Sequence, residues 1–204
     1  MSKPLIQIFS KYPKANKVKT RLIPELGAVG ALDVYKNLLF GTFKTVDRLS
    51  YNFSCELWLD KIQLDFIPRQ YIKTFSYIYE QKGFNLGEKM LYAITSGLSR
   101  SSKVILIGCD CLMITPEYYV KLANDLDEFD TVIIPATDGG YVLFATTRIK
   151  AEWFQNISWG TSSVMQQTLD IMNQDKSNKL KVYPPLRDLD NYQDYIWYKN
   201  NKLI

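Results

Sequence analysis

The sequence predicts an α/β layered fold built on a mostly parallel central sheet. Three observations predict it. Strand-like and helix-like periodicities alternate along the chain; one segment, KVILIG, is the continuous apolar run expected of a strand buried on both faces; and no repeat, low-complexity tract or Pro/Gly/Ser linker interrupts the 204 residues. The chain is therefore drawn as one domain, residues 1–204.

Leu5 to Phe9 is the first strand, and Ala28, Leu32, Tyr35, Leu39, Phe43, Val46 and Leu49 recur at helical spacing to predict a long amphipathic helix. Ser54 to Leu59 alternates like a strand, Thr74 to Tyr79 predicts another, and Leu86 to Leu98 returns to helical spacing. Lys103 to Gly108 is the buried strand. Thr115-Pro116-Glu117 then supplies a cap, a first-turn proline and a first-turn carboxylate for a helix to about Leu126. Thr131 to Pro135 and Gly140 to Ala145 read as strands, and Ser162 to Met172 as a helix capped by Thr161. Lys179 to Tyr183 is a short strand and Tyr192 to Asn200 a terminal helix.

Composition narrows the chemistry. With 47% apolar and 23% charged positions the chain can build a substantial core, and 25 basic against 21 acidic residues, or +4, is too mild a bias for a dedicated nucleic-acid binder. The 14 tyrosines are scattered at core-like positions and form no stacking platform between basic clusters. No stretch reaches the ~18 apolar residues of a membrane span, and the first ten residues lack the marks of a signal peptide, so a cytoplasmic location is expected. Cys55, Cys109 and Cys111 lack metal-finger spacing and are read as reduced thiols. There is no histidine. Serine–histidine and cysteine–histidine nucleophiles and histidine-bound zinc are thereby excluded, leaving carboxylates, Lys, Arg, Tyr, backbone dipoles and hard metals bound through oxygen.

In a parallel α/β sheet, ligands sit beyond the carboxyl ends of the strands. Three segments fall there: the loop after the first strand with Lys11, Lys14, Lys17, Lys19 and Arg21; Asp110 after the buried strand; and Asp138-Gly139-Gly140. The loop reads as a phosphate cradle or as a solvated basic turn, and Asp110 as the mouth of a site or as the polar stop of a strand. The two glycines would let backbone approach a ligand closely, or form a hairpin turn. Arg187-Asp188-Leu189-Asp190-Asn191 offers a second acidic pair to a hard divalent cation, or a surface turn.

Five segments in order carry a resemblance: KYPKANKVKTRL (11–22), QKGFNLGEKM (81–90), IGCDC (107–111), PATDGGYVL (135–143) and WFQNISWGTSSVMQQT (153–168). They resemble the small GT-A-like transferases of the nucleotide-diphospho-sugar transferase superfamily and, more distantly, the guanylyltransferases that make phospholactate and molybdopterin nucleotides. The resemblance implies a GT-A/Rossmann-like three-layer sandwich with a mostly parallel, mixed sheet. It implies that Lys11, Lys19, Thr20 and Arg21 bind nucleotide phosphates, with Lys19 and Arg21 countering charge on the leaving group. Leu86, Gly87 and Glu88 would lie beside the base. Asp110 and Asp190 would hold Mg²⁺ or Mn²⁺, with Asp188 competing for the second position. Asp138, Gly139, Gly140 and Tyr141 would shape the acceptor or sugar side, with Asp138 the candidate base, and Trp159 would line the same pocket or enter the core. Lys14 and Lys17 are expected to stay solvated. The chain departs from the family pattern at Asn16, in place of a glycine, at Leu112, in place of a proline, and at Lys89, in place of an arginine; asparagine tolerates the positive φ that a glycine there implies.

The implied activity is glycosyl transfer from a nucleotide-sugar to a small-molecule acceptor. Nucleotidyl transfer from a nucleoside triphosphate to a phosphorylated metabolite is the second reading, and a non-catalytic nucleotide-binding module the third. Both enzyme readings depend on positioning and charge neutralisation, which suits a chain without histidine.

Overall fold

In the computed structural model, which describes residues 2–204, seven strands form one sheet in the order β3-β2-β1-β4-β6-β5-β7. The strands are β1 (Leu5–Ser10), β2 (Ser54–Leu59), β3 (Tyr77–Glu80), β4 (Val104–Ile107), β5 (Thr131–Pro135), β6 (Tyr141–Thr146) and β7 (Leu180–Val182). The helices are α1 (Ile23–Asp47), α2 (Leu86–Leu98), α3 (Pro116–Asp125), α4 (Val164–Met172) and α5 (Tyr192–Asn200). Only β6 runs against its neighbours, pairing antiparallel with both β4 and β5. The mostly parallel, mixed sheet is therefore the one expected, and the sheet's carboxyl edge collects the ends of β1, β4 and β5 with the start of β6.

The layers follow from burial. Leu39 and Phe43 of α1 and Tyr119 and Leu122 of α3 pack on one face against Ile6, Ile8 and Ile105. Met90, Ala93 and Ile94 of α2 and Met165 and Met172 of α4 pack on the other against Leu5, Leu106 and Ile133. β1 and β4 bury the side chains on both of their faces, which is why they read as largely apolar runs. A smaller cluster, Leu22, Val34, Leu38, Leu189 and Tyr198, fixes α5 against α1.

Two boundaries differ from the sequence expectation, at the starts of β3 and α4. Residues Arg69–Thr74 wind into 3₁₀ turns, and the Thr74 hydroxyl donates to the Asp47 carboxylate, so β3 starts at Tyr77 and not at Thr74. The last helix before β7 begins at Val164, because the Thr161 hydroxyl is taken by Ser158 O and Ser163 Oγ and does not cap it. Helix α1 carries a break at Gly27, φ 69° and ψ 169°; the regular helix thus starts at Ala28, where the apolar periodicity begins.

Candidate active site

The loop after β1 is shaped by its own backbone. Asn16 has φ 62° and Lys19 has φ 45°. Asparagine adopts the left-handed region more readily than most residues, so Asn16 carries this turn without unusual strain. Lysine does not, and a strained backbone of this kind persists only where its surroundings hold it. The loop is tied at both ends. The Tyr35 hydroxyl, from α1, accepts from Lys11 N at 2.8 Å and donates to Lys11 O at 2.9 Å. At the far end, the Lys19 ammonium lies 3.0 Å from Asp110 Oδ2 and 3.8 Å from Asp190 Oδ1, with its side chain only 4% exposed. Burial works against that charge, but Asp110 beside it, helped by Asp190, more than compensates, and the Lys19 pKa lies above the ordinary value.

The second acidic segment reaches this point because its residues alternate. In the extended run after β7, Leu189 is fully buried in the α1–α5 cluster and its N–H donates to Asp110 O at 2.9 Å, while Asp188 and Asp190 on either side line the cavities. Asp194 fastens the run: its carboxylate accepts from the N–H groups of Asp190 and Asn191 and from Arg187 Nε. Arg21 contacts Asp190 directly. Burial first, then the charges of Asp138 and Asp110, push the Asp188 carboxyl up to about 6.

Two adjoining cavities open along the sheet edge. One, about 390 Å³, is lined by Lys11, Lys17, Lys19, Thr20, Gln81 and the start of the loop at Ser10. The other, about 570 Å³, is walled by Met90, Leu106, Tyr141, Leu143 and Trp159 and carries Asp138 and Asp188. They share Phe9, Arg21, Leu86, Gly108, Asp110 and Asp190, which form the seam between a basic half and an aromatic, acidic half.

Most of the residues singled out from the sequence converge here. Lys11, Lys19, Thr20, Arg21, Leu86, Asp110, Asp138, Gly140, Tyr141, Trp159 and Asp190 all line one cavity or both. Gly87, Glu88 and Gly139 do not, and each has a structural task. Glu88 caps α2, accepting from Phe84 N and from Asn85 Nδ2 while Asn85 Oδ1 accepts from Glu88 N. Gly87 lies under Trp159, where a Cβ would stand 2.5 Å from the indole. Gly139 has φ 94°, and a Cβ there would stand 2.1 Å from Ser162 O; the close backbone approach is made by the chain itself, and the segment is the β5–β6 hairpin turn. Asp138 Oδ1 accepts from Gly140 N within that turn.

Trp159 both packs against other aromatic rings and lines a cavity. It stacks on Phe154 at 6.2 Å and 13°, stands edge-on to Tyr141 at 6.4 Å, and presents the rest of its surface to the aromatic half. Lys14 and Lys17 are both exposed, but Lys17 lines the basic half. Sequence reasoning missed Gln81, whose Nε2 donates to Ser10 O and Trp58 O and ties β3's end to the loop, and Tyr35, which periodicity assigns to the helix core and which also holds Lys11.

Among the described residues no group of three or more His, Cys, Asp or Glu is arranged to hold a metal ion, and no helix is long and apolar enough to cross a membrane. The carboxylates that converge, Asp110 and Asp190, are a pair bridged by an ammonium.

No protein in the curated set matches the chain. Among solved structures, that of a protein from Desulfovibrio desulfuricans G20, provisionally named a nucleotide-diphospho-sugar transferase, is 29% identical with a TM-score of 0.86, over 99% of this chain and 89% of that one. The 4-diphosphocytidyl-2C-methyl-D-erythritol synthase of Anaerococcus prevotii DSM 20548 is 13% identical with a TM-score of 0.62, over 99% and 97%. A CMP:2-keto-3-deoxy-manno-octonic acid synthetase complexed with CTP is 10% identical with a TM-score of 0.56, over 99% of both chains. The last two likenesses establish the fold alone. Residues 46–161, which carry Asp110, Asp138 and Trp159, match the family described as "Uncharacterized protein conserved in bacteria (DUF2064)" over more than half of the chain, and to that family the chain belongs.

Proposed function

We propose that this protein is a metal-dependent transferase that binds a nucleotide-sugar by its diphosphate and passes the sugar to an acceptor hydroxyl. One observation carries the reading: a basic half and an aromatic, acidic half meet at a seam where Lys19, Arg21, Asp110 and Asp190 converge. A donor with a polyanionic and a neutral end fits that division. The diphosphate would lie on Lys11, Lys19 and Arg21, with Thr20 adding a hydroxyl donor and Leu86 and Gln81 facing the nucleoside. The name of the D. desulfuricans relative points the same way.

The donor set at the seam fits a hard divalent cation. Mg²⁺ and Mn²⁺ sites of this kind commonly use one or two carboxylates and complete the shell with substrate phosphates and water, so a pair suffices and a protein-only cage is not required. Asp110 and Asp190 are the residues that would hold the ion, which would supply charge neutralisation at the diphosphate. Lys19, already held by both carboxylates, and Arg21, on Asp190, add fixed positive charge at the same place, where the leaving nucleoside diphosphate gathers its negative charge. Asp138, on the aromatic side and exposed, is the carboxylate that would take the proton from the attacking hydroxyl.

Nucleotidyl transfer is the second reading, and the concentration of four cations around the basic half favours it, since a triphosphate carries more charge than a diphosphate. Incubation with Mg²⁺ or Mn²⁺ and labelled nucleotides separates the two. Release of nucleoside diphosphate from a nucleotide-sugar is the expected result, and release of pyrophosphate from a triphosphate would replace the first reading with the second. If no nucleotide or nucleotide-sugar raises the melting temperature with either metal, both readings fail.

A further inference from the structure

The aromatic half differs in charge from the basic half in a way that selects what it can hold. Arg21, at the seam, is its only lining lysine or arginine among the described residues, and Arg21 already contacts Asp190. Beyond the seam, the only charged groups that line the cavity among the described residues are the carboxylates Asp138 and Asp188. Among those residues neither carboxylate is salt-bridged to a cation, whereas Asp110 and Asp190 share Lys19. The remaining wall is apolar or aromatic, and its volume, about 570 Å³, lies within the usual range of small-molecule sites.

We propose that the acceptor is an uncharged hydroxyl compound with a flat, apolar face, such as a sugar ring or a cyclic alcohol, and that it bears no phosphate. The inference rests on the glycosyl-transfer reading and names the class of its second substrate. The indole of Trp159 and the ring of Tyr141 line the cavity, and aromatic rings in such a wall pack against the C–H face of a ring. The carboxylate oxygens of Asp138 and Asp188 can accept hydrogen bonds from hydroxyl groups. A phosphate ester placed beyond the seam would face two carboxylates in a partly enclosed cavity with no unengaged cation, an arrangement that rejects it by like-charge repulsion and by unpaired desolvation.

The charge of this half can be read without knowing the ligand. Thr161 is exposed on the cavity wall, and Thr161→Cys places a thiol there. The native thiols are poor competitors: all three are buried, and burial pushes Cys55 up to about 12 and Cys111 to about 11 and raises Cys109 as well. Full-length Thr161→Cys protein is treated at pH 8 with a cationic and an anionic methanethiosulfonate of equal size. The same is done with Asp138→Asn and Asp188→Asn added; asparagine keeps an acceptor oxygen for Gly140 N.

The expected result is a cation-to-anion rate ratio about tenfold or more higher with the two aspartates than without them. A ratio unchanged by their removal overturns the proposal. In the transfer assay, the parent alcohol of any alcohol and phosphate-ester pair is expected to be the better acceptor, and a phosphate ester that outperforms its alcohol also overturns it. Failure of every nucleotide to bind, with the rate ratio intact, would instead remove the transferase reading while leaving the charge of the cavity established.

Discussion

Replacing Lys19 with methionine removes the ammonium at the seam and keeps most of the stem. At an effective dielectric constant near 20, a charge at 3.0 Å from Asp110 and 3.8 Å from Asp190 gains about 5 and 4 kcal/mol. Two corrections apply. The ammonium is nearly fully buried, so its desolvation cost of several kcal/mol is recovered in the variant. The carboxylates are 44% and 31% exposed, so water screens both attractions. The net loss is about 2 kcal/mol, below the 3–5 kcal/mol of a fully buried broken pair. For a chain of this length each kcal/mol moves Tm by about 2–4 °C, so Lys19→Met should melt about 4–8 °C lower at pH 7 in the presence of chelator. With the ammonium gone, Mn²⁺ should raise the melting temperature of the variant more than that of the wild type. A wild-type Tm with no added Mn²⁺ response would mean that Lys19 is not the counter-ion of the pair, and the account of the seam would fall with it.

Three other perturbations test the fold around the site. Gly139→Ala forces a side chain to φ 94° and to within 2.1 Å of Ser162 O, and should cost about 3 kcal/mol or more in urea unfolding; a loss below about 1 kcal/mol would contradict the close approach. Arg100→Ala strips Glu56, which is 2% exposed and also binds Gln7 and Trp58, of the one cation that bridges it among the described residues and should cost about 3–5 kcal/mol, much of it recovered on adding Glu56→Gln; additive losses in that cycle would show that the charge is not the cause. Asp188→Asn in chelator addresses the raised carboxyl. Because the folded pKa of about 6 exceeds the unfolded value near 3.9, the folded wild type binds the extra proton, gains stability as pH falls through 6, and is penalised above it. The variant should therefore be the more stable by about 1–2 kcal/mol at pH 8, with the advantage fading between pH 6 and pH 4; a pH-independent difference would refute the burial of that charge.

How far the site was legible depended on the range of the interactions. The strands β1, β2, β4 and β5 were legible because burial on a pleated surface writes itself into consecutive residues. The same holds for the start of the regular part of α1 at Ala28, where Gly27 breaks the backbone. Thr74 and Thr161 misled because hydroxyl partners at Asp47 and Ser158 overrode local preference. Gly87 and Glu88 sit in a segment resembling a base-binding one, and their sequence neighbours give no sign that one makes room for an indole and the other caps a helix.

The sequence by itself determined the α/β layering, the chemistry left to a chain without histidine, and the convergence of the basic loop, Asp110 and the Asp-Gly-Gly turn on one sheet edge, because these follow from local periodicity and from strand direction. Only the tertiary structure decided what Lys19 does. In sequence it is one of five cations in a loop; in the fold it is the buried member that bridges Asp110 and Asp190. Likewise Arg21 meets Asp190 across 169 positions, and Asp138 and Asp188 become neighbours through the docking of the extended run after β7 on Asp110 and α1. Electrostatic interactions depend on separation and burial in space, and neither is encoded by spacing along the chain.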